Sequence, residues 1–256
     1  MAATFSSADL GDGVRALTLS NPARKNALDA EALEQLRQAL SETTAVRCWL
    51  VRASGPGPFS SGYDVSALSE IGDGPLPDEA LGEVFDLLAQ HSAPSVALLT
   101  GAAFGAGCEL ACSCDFRVGD PGAAFCLPPS KLGVVYAPRG IRRIASIVGL
   151  ARAKWMLLSG RKIDAKQAEE FGLLDLLRPN DFAEDSALDL ARELAAAAPL
   201  SIAGMKRIFT GLSRGGLSSE EERQIERLRR AAFNSADASE GRAAFLAKRK
   251  PNFSGR

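Results

Sequence analysis

Short apolar runs alternate with segments of helical periodicity through the first two thirds of the chain. The runs VRALTLS (14–20) and RCWLVRA (47–53) predict β-strands. Between them Asp29 can cap a helix in which leucines recur at helical spacing, at Leu33, Leu36 and Leu40. This stretch therefore predicts a β-α-β unit and an α/β fold class.

The same alternation continues into the centre of the chain. EALGEVFDLLAQ (79–90) predicts a helix, and SVALLTG (95–101) predicts a buried strand that ends in glycine. A glycine turn, FGAG (104–107), follows this strand, and Glu109 lies on the helix that the turn opens. A carboxylate is thus placed among small and apolar residues.

Strand signals stop after about Leu177. The rest of the chain has helical patterns such as 186–198 and 218–235. A strand-rich first part followed by a helical tail predicts a core domain, 1–195, and a C-terminal helical region, 196–256, which packs subunits together.

Composition narrows the choice of partners. The 256 residues are 46% hydrophobic, and 30 Lys and Arg oppose 31 Asp and Glu, so no basic field indicates a nucleic-acid partner. The start of the chain does not resemble a signal peptide, and no stretch approaches the about 20 apolar residues of a membrane span. We therefore expect a cytoplasmic protein that does not enter a membrane.

The five cysteines are an odd number, which favours free thiols in a reducing compartment. Cys108, Cys112 and Cys114 are close in sequence, but their spacing is not C-x-x-C and the single histidine, His91, is distant. We interpret them as small core residues and predict no metal. No dinucleotide-binding fingerprint is present either, so no nicotinamide or flavin cofactor is expected.

Two glycine turns suggest a chemistry. Residues 105–107 enter a helix, where backbone N–H groups are unpaired, and Ser61-Gly62-Tyr63 forms another turn after an apolar strand. If the turns converge, each can aim one N–H at the same carbonyl oxygen and form an oxyanion hole. Glycines at such turns also serve close packing alone, and spacing does not decide between the two.

Several motifs resemble the crotonase superfamily, also called the enoyl-CoA hydratase/isomerase family. They occur in the family's order over nearly the whole chain: NPARKNALD (21–29), FSSGYDVSAL (59–68), TGAAFGAGCELACSCDFRV (100–118), LSGRKIDAKQAEEFGLLD (158–175) and SEGRAAFLAKRKPNF (239–253). The resemblance implies a spiral of ββα units with a C-terminal all-helical region, and homotrimers or dimers of trimers. It also implies an acyl-CoA substrate whose CoA is part of the substrate, with no separate cofactor.

The resemblance assigns the oxyanion N–H groups to Tyr63 and Ala106, and Glu109 matches the first of two glutamates that family hydratases use. Pro129, in FCLPPSKLG (125–133), stands where the second glutamate is expected. Proline neither accepts nor donates a proton, so the two-carboxylate mechanism is not available. For Glu109 the alternative role is a buried carboxylate satisfied by backbone donors.

The segment LGVVYAPRGI (132–141) is similar to the methylmalonyl-CoA decarboxylase branch, in which the tyrosine at the position of Tyr136 orients the substrate carboxylate. One departure is that this branch has histidine where Tyr63 stands. Tyr136 as a core tyrosine is the alternative. Arg139 can meet a substrate carboxylate or can be a solvated arginine in the first turn of a helix.

Further residues are assigned to substrate and CoA binding by the resemblance alone. Arg24 and Lys25 match positions near the CoA phosphates, and Lys248 matches a terminal lysine that often approaches CoA from a neighbouring subunit. The remaining candidates for this binding are Ala27, Ser61, Asp64, Val65, Gly107, Pro128, Pro129 and Phe245.

Three functions remain open. The first is an acyl-CoA lyase that acts through an enolate and decarboxylates a malonyl-type CoA thioester, which needs no base in that step. The second is an enoyl-CoA hydratase with Glu109 as its only carboxylate. The third is a non-catalytic acyl-CoA-binding protein. The acyl chain is not determined by the sequence.

Overall fold

The computed structural model describes residues 3–41, 46–64 and 76–256. Its strands are β1 (Thr4–Asp9), β2 (Val14–Ser20), β3 (Cys48–Ala53), β4 (Ser95–Leu99), β5 (Ala102–Phe104), β6 (Phe116–Gly119), β7 (Ala124–Cys126), β8 (Ile163–Asp164) and β9 (Leu176–Leu177). Its helices are α1 (Ala30–Ser41), α2 (Pro77–Gln90), α3 (Ala106–Ser113), α4 (Pro129–Leu132), α5 (Pro138–Val148), α6 (Leu150–Ser159), α7 (Ala165–Phe171), α8 (Asn180–Ala196), α9 (Pro199–Ser213), α10 (Ser219–Phe233) and α11 (Ala236–Leu246), with a 3₁₀ turn at Pro22–Arg24.

The larger sheet has the strand order β1-β2-β3-β4-β6-β9. β1 pairs antiparallel with β2, and each later neighbour in this sheet pairs in parallel. Because parallel neighbours need a crossover, α1 connects β2 to β3 and α2 lies between β3 and β4. The predicted β-α-β unit is confirmed.

A smaller sheet, β5-β7-β8, stands beside the larger one. β4 and β6 are neighbours in the larger sheet while β5 and β7, which follow them, pair in the smaller sheet. The chain moves from the larger sheet to the smaller one in the same way after β3, where Ser60 forms an isolated parallel bridge with Ala103 of β5. Successive strand, strand and helix steps therefore build a spiral, with β4-β5-α3 as its central turn.

The core lies on both faces of the larger sheet. Along β3 the side chains alternate: Trp49 and Val51 pack into the main core with α1, α2 and α3, whereas Cys48 and Leu50 pack against α8. α8 presents a row of buried alanines to this second face, at Ala183, Ala187, Ala191 and Ala195. Small side chains at this spacing let the helix lie close to the sheet.

The C-terminal helices are joined to the core as well as to each other. α9 packs on α2 and α5, and α10 packs on α9. Lys206 of α9 is buried and its ammonium pairs with Asp115, which also accepts hydrogen bonds from the N–H and hydroxyl of Ser95 at 2.8 and 2.9 Å. The predicted use of 196–256 in subunit packing remains a prediction.

All five cysteines are free, and Cys108, Cys112 and Cys114 are buried, as the interpretation as core residues requires. Within residues 3–41, 46–64 and 76–256 no group of three His, Cys, Asp or Glu side chains is arranged to hold a metal ion. None of the helices in these ranges combines the length and the apolar character needed to span a bilayer.

Candidate active site

The two glycine turns lie against each other. Gly62 has φ +103° and Gly105 has φ +50°, conformations that favour glycine. A methyl group placed on Gly62 would lie 2.9 Å from the Phe104 carbonyl oxygen and 3.5 Å from the Ala106 nitrogen, so a side chain at 62 is excluded. Hydrogen bonds from Ser60 N–H to Ala102 O (3.1 Å) and from Phe104 N–H to Ser60 O (2.9 Å) hold the turns together.

Two unpaired donors lie at this junction. Ala106 is the first residue of α3, and in the described part of the chain neither its N–H nor that of Tyr63 donates to an acceptor. An N–H group without a partner next to a closely packed turn favours binding of an oxygen ligand. An oxyanion hole formed by these two N–H groups requires the turns to lie in contact, as they do. The assignment of the Tyr63 and Ala106 N–H groups to that role remains a prediction.

Glu109 lies one helical turn further along α3 and is 6% exposed. The Tyr136 hydroxyl donates to Glu109 Oε2 at 2.7 Å, and Arg143 Nη1 donates to Oε1. Both carboxylate oxygens are therefore bound by side chains from the segment that contains α5, and not by the backbone donors considered as the alternative.

The charge of this cluster is set by burial and by the guanidinium. Burial raises the pKa of Glu109, while the Arg143 guanidinium and the Tyr136 hydroxyl oppose that rise. Burial, reinforced by the Glu109 carboxylate, raises the pKa of Tyr136 well above its usual value. Tyr136 therefore keeps its proton at neutral pH and acts as a hydrogen-bond donor.

Arg143 was missed by the sequence analysis. Its side chain is 10% exposed, and its second terminal nitrogen donates to Asp86 of α2. α2 thereby supports the Glu109 site through one guanidinium. The available signal was the helical recurrence of Gly140, Ile144 and Val148, which defines the inward face of α5 next to Arg143.

Gly140 was missed too. A methyl group on it would lie 2.5 Å from Tyr136 Cε1 and 2.8 Å from Glu109 Oε2. α5 can approach the carboxylate only because this residue has no side chain.

Arg139 does not bind Tyr136 or Glu109 among the described contacts. Its guanidinium lies 3.7 Å from the Asp86 carboxylate, and its aliphatic part packs where Gly82 of α2 leaves space. The side chain is 39% exposed. Whether Arg139 meets a substrate carboxylate remains a prediction.

The first candidate CoA-binding segment adjoins the Gly62 turn. Ser61 N–H donates to the Lys25 carbonyl at 3.0 Å, the Ser61 hydroxyl donates to the Arg24 carbonyl at 3.2 Å, and Arg24 forms an ion pair with Asp64. Ala27 is buried beside this turn. The structure thus gathers these five candidates at one place. Val65 lies outside the described residues.

Other candidates have packing roles in this chain. Gly107 is required by contact, because a methyl group on it would lie 2.6 Å from Ser60 Cβ. Pro129 is the buried first residue of α4, and Pro128 precedes it next to Gly160. For Gly107 this contact supports the close-packing interpretation of that glycine.

Phe245 and Lys248 lie at the end of α11 and just beyond it. Both are exposed, and in the described chain neither side chain forms a hydrogen bond or ion pair with the residues around Glu109. A contribution of Lys248 to a neighbouring subunit's site remains a prediction.

Comparison with known proteins identifies the family. The family described as enoyl-CoA hydratase/isomerase matches residues 9–256. Methylmalonyl-CoA decarboxylase of Escherichia coli K12 is 33% identical over 235 residues, which cover 90% of each chain. The 2,3-dehydroadipyl-CoA hydratase of the same organism is 33% identical over 245 residues, which cover 94% of each chain.

A solved structure from Magnetospirillum magneticum, described as an enoyl-CoA hydratase/carnithine racemase, superposes with a TM-score of 0.89 at 27% identity, covering 99% of this chain and 96% of that one. This protein belongs to the enoyl-CoA hydratase/isomerase family. The resemblance to the crotonase superfamily and the α/β fold expected from it are confirmed. The chain is an acyl-CoA enzyme of this family.

Proposed function

We propose that this protein is an acyl-CoA lyase that decarboxylates a malonyl-type CoA thioester. The observation that carries the proposal is the hydrogen bond from Tyr136 to Glu109 next to the joined glycine turns, with proline at position 129. The Tyr136 hydroxyl provides a donor near the glycine turns, where the thioester is proposed to bind. Proline at position 129 means that the second carboxylate of a hydratase is not at its expected position. The 33% identity to a methylmalonyl-CoA decarboxylase adds support.

The reaction needs little from the protein beyond orientation and charge stabilisation. The bond between C2 and the carboxylate breaks, CO2 leaves, and the electron pair forms an enolate whose charge develops on the thioester oxygen. The N–H groups of Tyr63 and Ala106 stabilise that oxygen, a role in which one donor contributes about 3–4 kcal/mol. A proton must then be added to C2.

Tyr136 and Glu109 have separate roles in this scheme. The Tyr136 hydroxyl donates to the substrate carboxylate and turns it out of the carbonyl plane, so that the breaking bond overlaps with the π system. Glu109, whose pKa is raised by burial, takes up a proton from solvent and in its protonated form transfers that proton to C2, which returns Glu109 to the carboxylate form. In this structure the Tyr136 hydroxyl donates to Glu109, so it must turn to the substrate carboxylate for this role.

Incubation with methylmalonyl-CoA and related thioesters tests the proposal. We expect the decarboxylated thioester by mass spectrometry, and a loss of about 10²-fold or more in kcat for Tyr136→Phe, as for other positioning hydrogen bonds in the transition state. A panel of malonyl-type thioesters that yields no product contradicts decarboxylation.

Hydration by Glu109 alone is a second candidate. The raised pKa of Glu109 suits proton transfer in either direction, and the chain is 33% identical to a 2,3-dehydroadipyl-CoA hydratase. The test is loss of enoyl absorbance with crotonyl-CoA and longer enoyl-CoAs. Glu109→Gln should abolish it, and unchanged turnover in that variant contradicts the role of Glu109.

One screen separates these functions from non-catalytic binding. Wild type, Glu109→Gln and Tyr136→Phe are incubated with a set of acyl-CoAs, and products are followed by mass spectrometry. Saturable binding without any product supports a binding protein.

We further propose that the chain needs no cofactor besides the CoA of its substrate, and that it acts in the cytoplasm as a homotrimer or a dimer of trimers. Exposed apolar side chains on α9 and α10 that lie outside the cavity described below, Met205 and Phe233, support association. Light scattering after size-exclusion chromatography measures the assembly, and a monomer contradicts it.

A further inference from the structure

A cavity of about 620 Å³ lies beside the Glu109 site. α2, α5, α9 and the C-terminal end of α3 line it, and it opens to solvent, with Arg142 and Phe209 of its lining exposed. Neither Glu109 nor Tyr136 lines it, so it is separate from the place where the thioester is proposed to react. Arg143 belongs to both, because it lines the cavity and binds the Glu109 carboxylate.

The cavity carries more positive than negative charge. Two carboxylates, Asp86 and Asp115, line it among the described residues. The cationic side chains in its lining are Arg117, Arg139, Arg142, Arg143, Lys206 and Arg214. Three of these cations also pair with carboxylates outside the lining: Arg117 with Asp175, Arg143 with Glu109 and Arg214 with Glu221. The excess of positive charge is therefore small, and it favours an anion at a cation that has no carboxylate partner.

The carboxylates inside the cavity do not balance the arginines of α5. Asp86 is shared between Arg139 and Arg143, and Asp115 is paired with Lys206. Arg142 forms no ion pair or hydrogen bond with any part of the chain that the structure describes. Its guanidinium is available to a ligand.

These arginines share one helix face. Arg139, Arg142 and Arg143 are spaced i, i+3 and i+4 along α5, so their side chains are neighbours. A guanidinium has a planar array of donors that matches a carboxylate in two parallel hydrogen bonds.

The remaining lining fits an anion on an aliphatic chain. The hydroxyls of the lining, on Ser113, Ser146, Thr210 and Ser213, donate to backbone carbonyls and are not free donors for a ligand. Apolar side chains complete the wall, among them Ile147, Phe209 and Leu212. Methylene groups can pack there while a carboxylate meets the arginines.

We propose that this cavity binds the carboxylate of a ligand, with Arg142 as its principal partner. The carboxylate has two possible sources: the far end of a dicarboxylic acyl chain attached to CoA, or a free dicarboxylate. The first rests on the proposed acyl-CoA function and follows from the cavity's position along α3, which begins at the glycine turns and ends at the cavity.

Isothermal titration calorimetry with free adipate tests the cavity directly. We expect binding to wild type that weakens about tenfold in Arg142→Gln, the loss of one charge-assisted hydrogen bond, and that weakens with added salt. Arg229→Gln is the matched control, because Arg229 is an exposed arginine of α10 outside the cavity and should leave adipate affinity unchanged. Thermal unfolding checks that both variants fold.

A second titration identifies the source. Adipyl-CoA and suberyl-CoA are each compared with the methyl-terminated thioester of equal length, hexanoyl-CoA and octanoyl-CoA. Tighter binding of a dicarboxylic thioester, reduced by Arg142→Gln, assigns the cavity to the acyl chain whether or not free adipate binds. Arginine-dependent adipate binding without such a preference assigns it to a free dicarboxylate.

The proposal is overturned if adipate binding is absent or insensitive to Arg142→Gln and the dicarboxylic thioesters have no Arg142-dependent advantage. If no thioester binds at all, the proposed acyl-CoA function is wrong. The adipate titration still shows whether the cavity binds a carboxylate through Arg142.

Discussion

At the residue scale, the Arg143 guanidinium is the main group that opposes the effect of burial on the charge of Glu109. Arg143 and Glu109 form an ion pair whose side chains are 10% and 8% exposed. Forming such a pair has a free-energy penalty, because both groups lose their hydration. Removing one partner is more unfavourable, because it leaves the other charge buried without compensation. Arg143 is therefore expected to control the protonation of Glu109.

Arg143→Gln should destabilise the protein by about 3–5 kcal/mol at neutral pH. Without the guanidinium, the pKa of Glu109 rises further above its ordinary value, because the main opposing cause is lost. When the pKa of a carboxyl group is higher in the folded state than in the unfolded state, the free energy of unfolding falls as pH rises from the unfolded-state pKa to the folded-state pKa. Urea unfolding should therefore show a larger deficit at pH 8 than at pH 5.

Glu109→Gln in the same background is the control. The double variant carries no buried charge at 109, so its deficit should be smaller and independent of pH. An equal deficit at both pH values in Arg143→Gln would contradict the proposed coupling.

Gly140→Ala should reduce activity without unfolding the protein. The added methyl group must displace both the Tyr136 ring and the Glu109 carboxylate. Overpacking of about 1–3 kcal/mol is offset in part by a helix propensity gain of about 1 kcal/mol. We expect at least a tenfold loss of kcat with a small change in unfolding free energy.

Gly204→Ala is the matched control for this substitution. Gly204 is also helical, in α9, but nothing lies within 4 Å of a methyl group placed on it. The free energy of unfolding of Gly204→Ala should be about 0.5–1 kcal/mol higher than that of wild type, and its kcat should be unchanged. Equal activity in both alanine variants would contradict the steric role of Gly140.

At the element scale, α1 shows how a local signal specifies a boundary. Asp29 accepts a hydrogen bond from the Ala32 N–H at 2.9 Å and, with its other oxygen, from the Ala3 N–H at 2.9 Å. One carboxylate caps the helix and attaches the chain that leads into β1. The predicted cap is confirmed.

Asp29→Ala should cost about 1–2 kcal/mol in chemical denaturation, the usual effect of a lost N-cap. Asp29→Asn keeps an acceptor for Ala32 and should recover more than half of that loss. A cost below a few tenths of a kcal/mol for the alanine variant would show that the cap is dispensable.

The short strands were not predictable in the same way. β1 has a single buried residue, and β5 and β7 have three residues each, too few to show an alternating pattern. The strand predicted over 95–101 ends at Leu99. The backbone at Gly101 lies against the Gly57 carbonyl, where a methyl group would be 2.1 Å away, a contact distant in sequence that the local pattern does not predict.

At the scale of the whole molecule, α9 is attached to the core by the buried pair of Lys206 with Asp115. The side chains are 9% and 24% exposed. This pair fixes the helix that closes one side of the arginine-lined cavity. The C-terminal region is therefore part of the fold of its own chain.

Lys206→Met should destabilise the protein by about 1–3 kcal/mol, because Asp115 loses its cationic partner in a largely buried position. We also expect the substitution to accelerate amide hydrogen exchange in α9 relative to wild type, and to leave exchange in α1 unchanged. Lys154→Met, at an exposed lysine of α6, is the control and should change neither. Unchanged exchange in α9 would show that packing alone holds the helix.

The sequence by itself determined the β-α-β start, the two glycine turns, the buried carboxylate on α3 and the family, since these depend on local periodicity, backbone freedom and motif order. It did not determine that Arg143 and Gly140 meet Glu109, or that α5, α2 and α9 border an arginine-lined cavity. Those contacts join residues that are distant in the chain. They are decided by how helices pack across the spiral, and side-chain periodicity within one element carries no information about its neighbours.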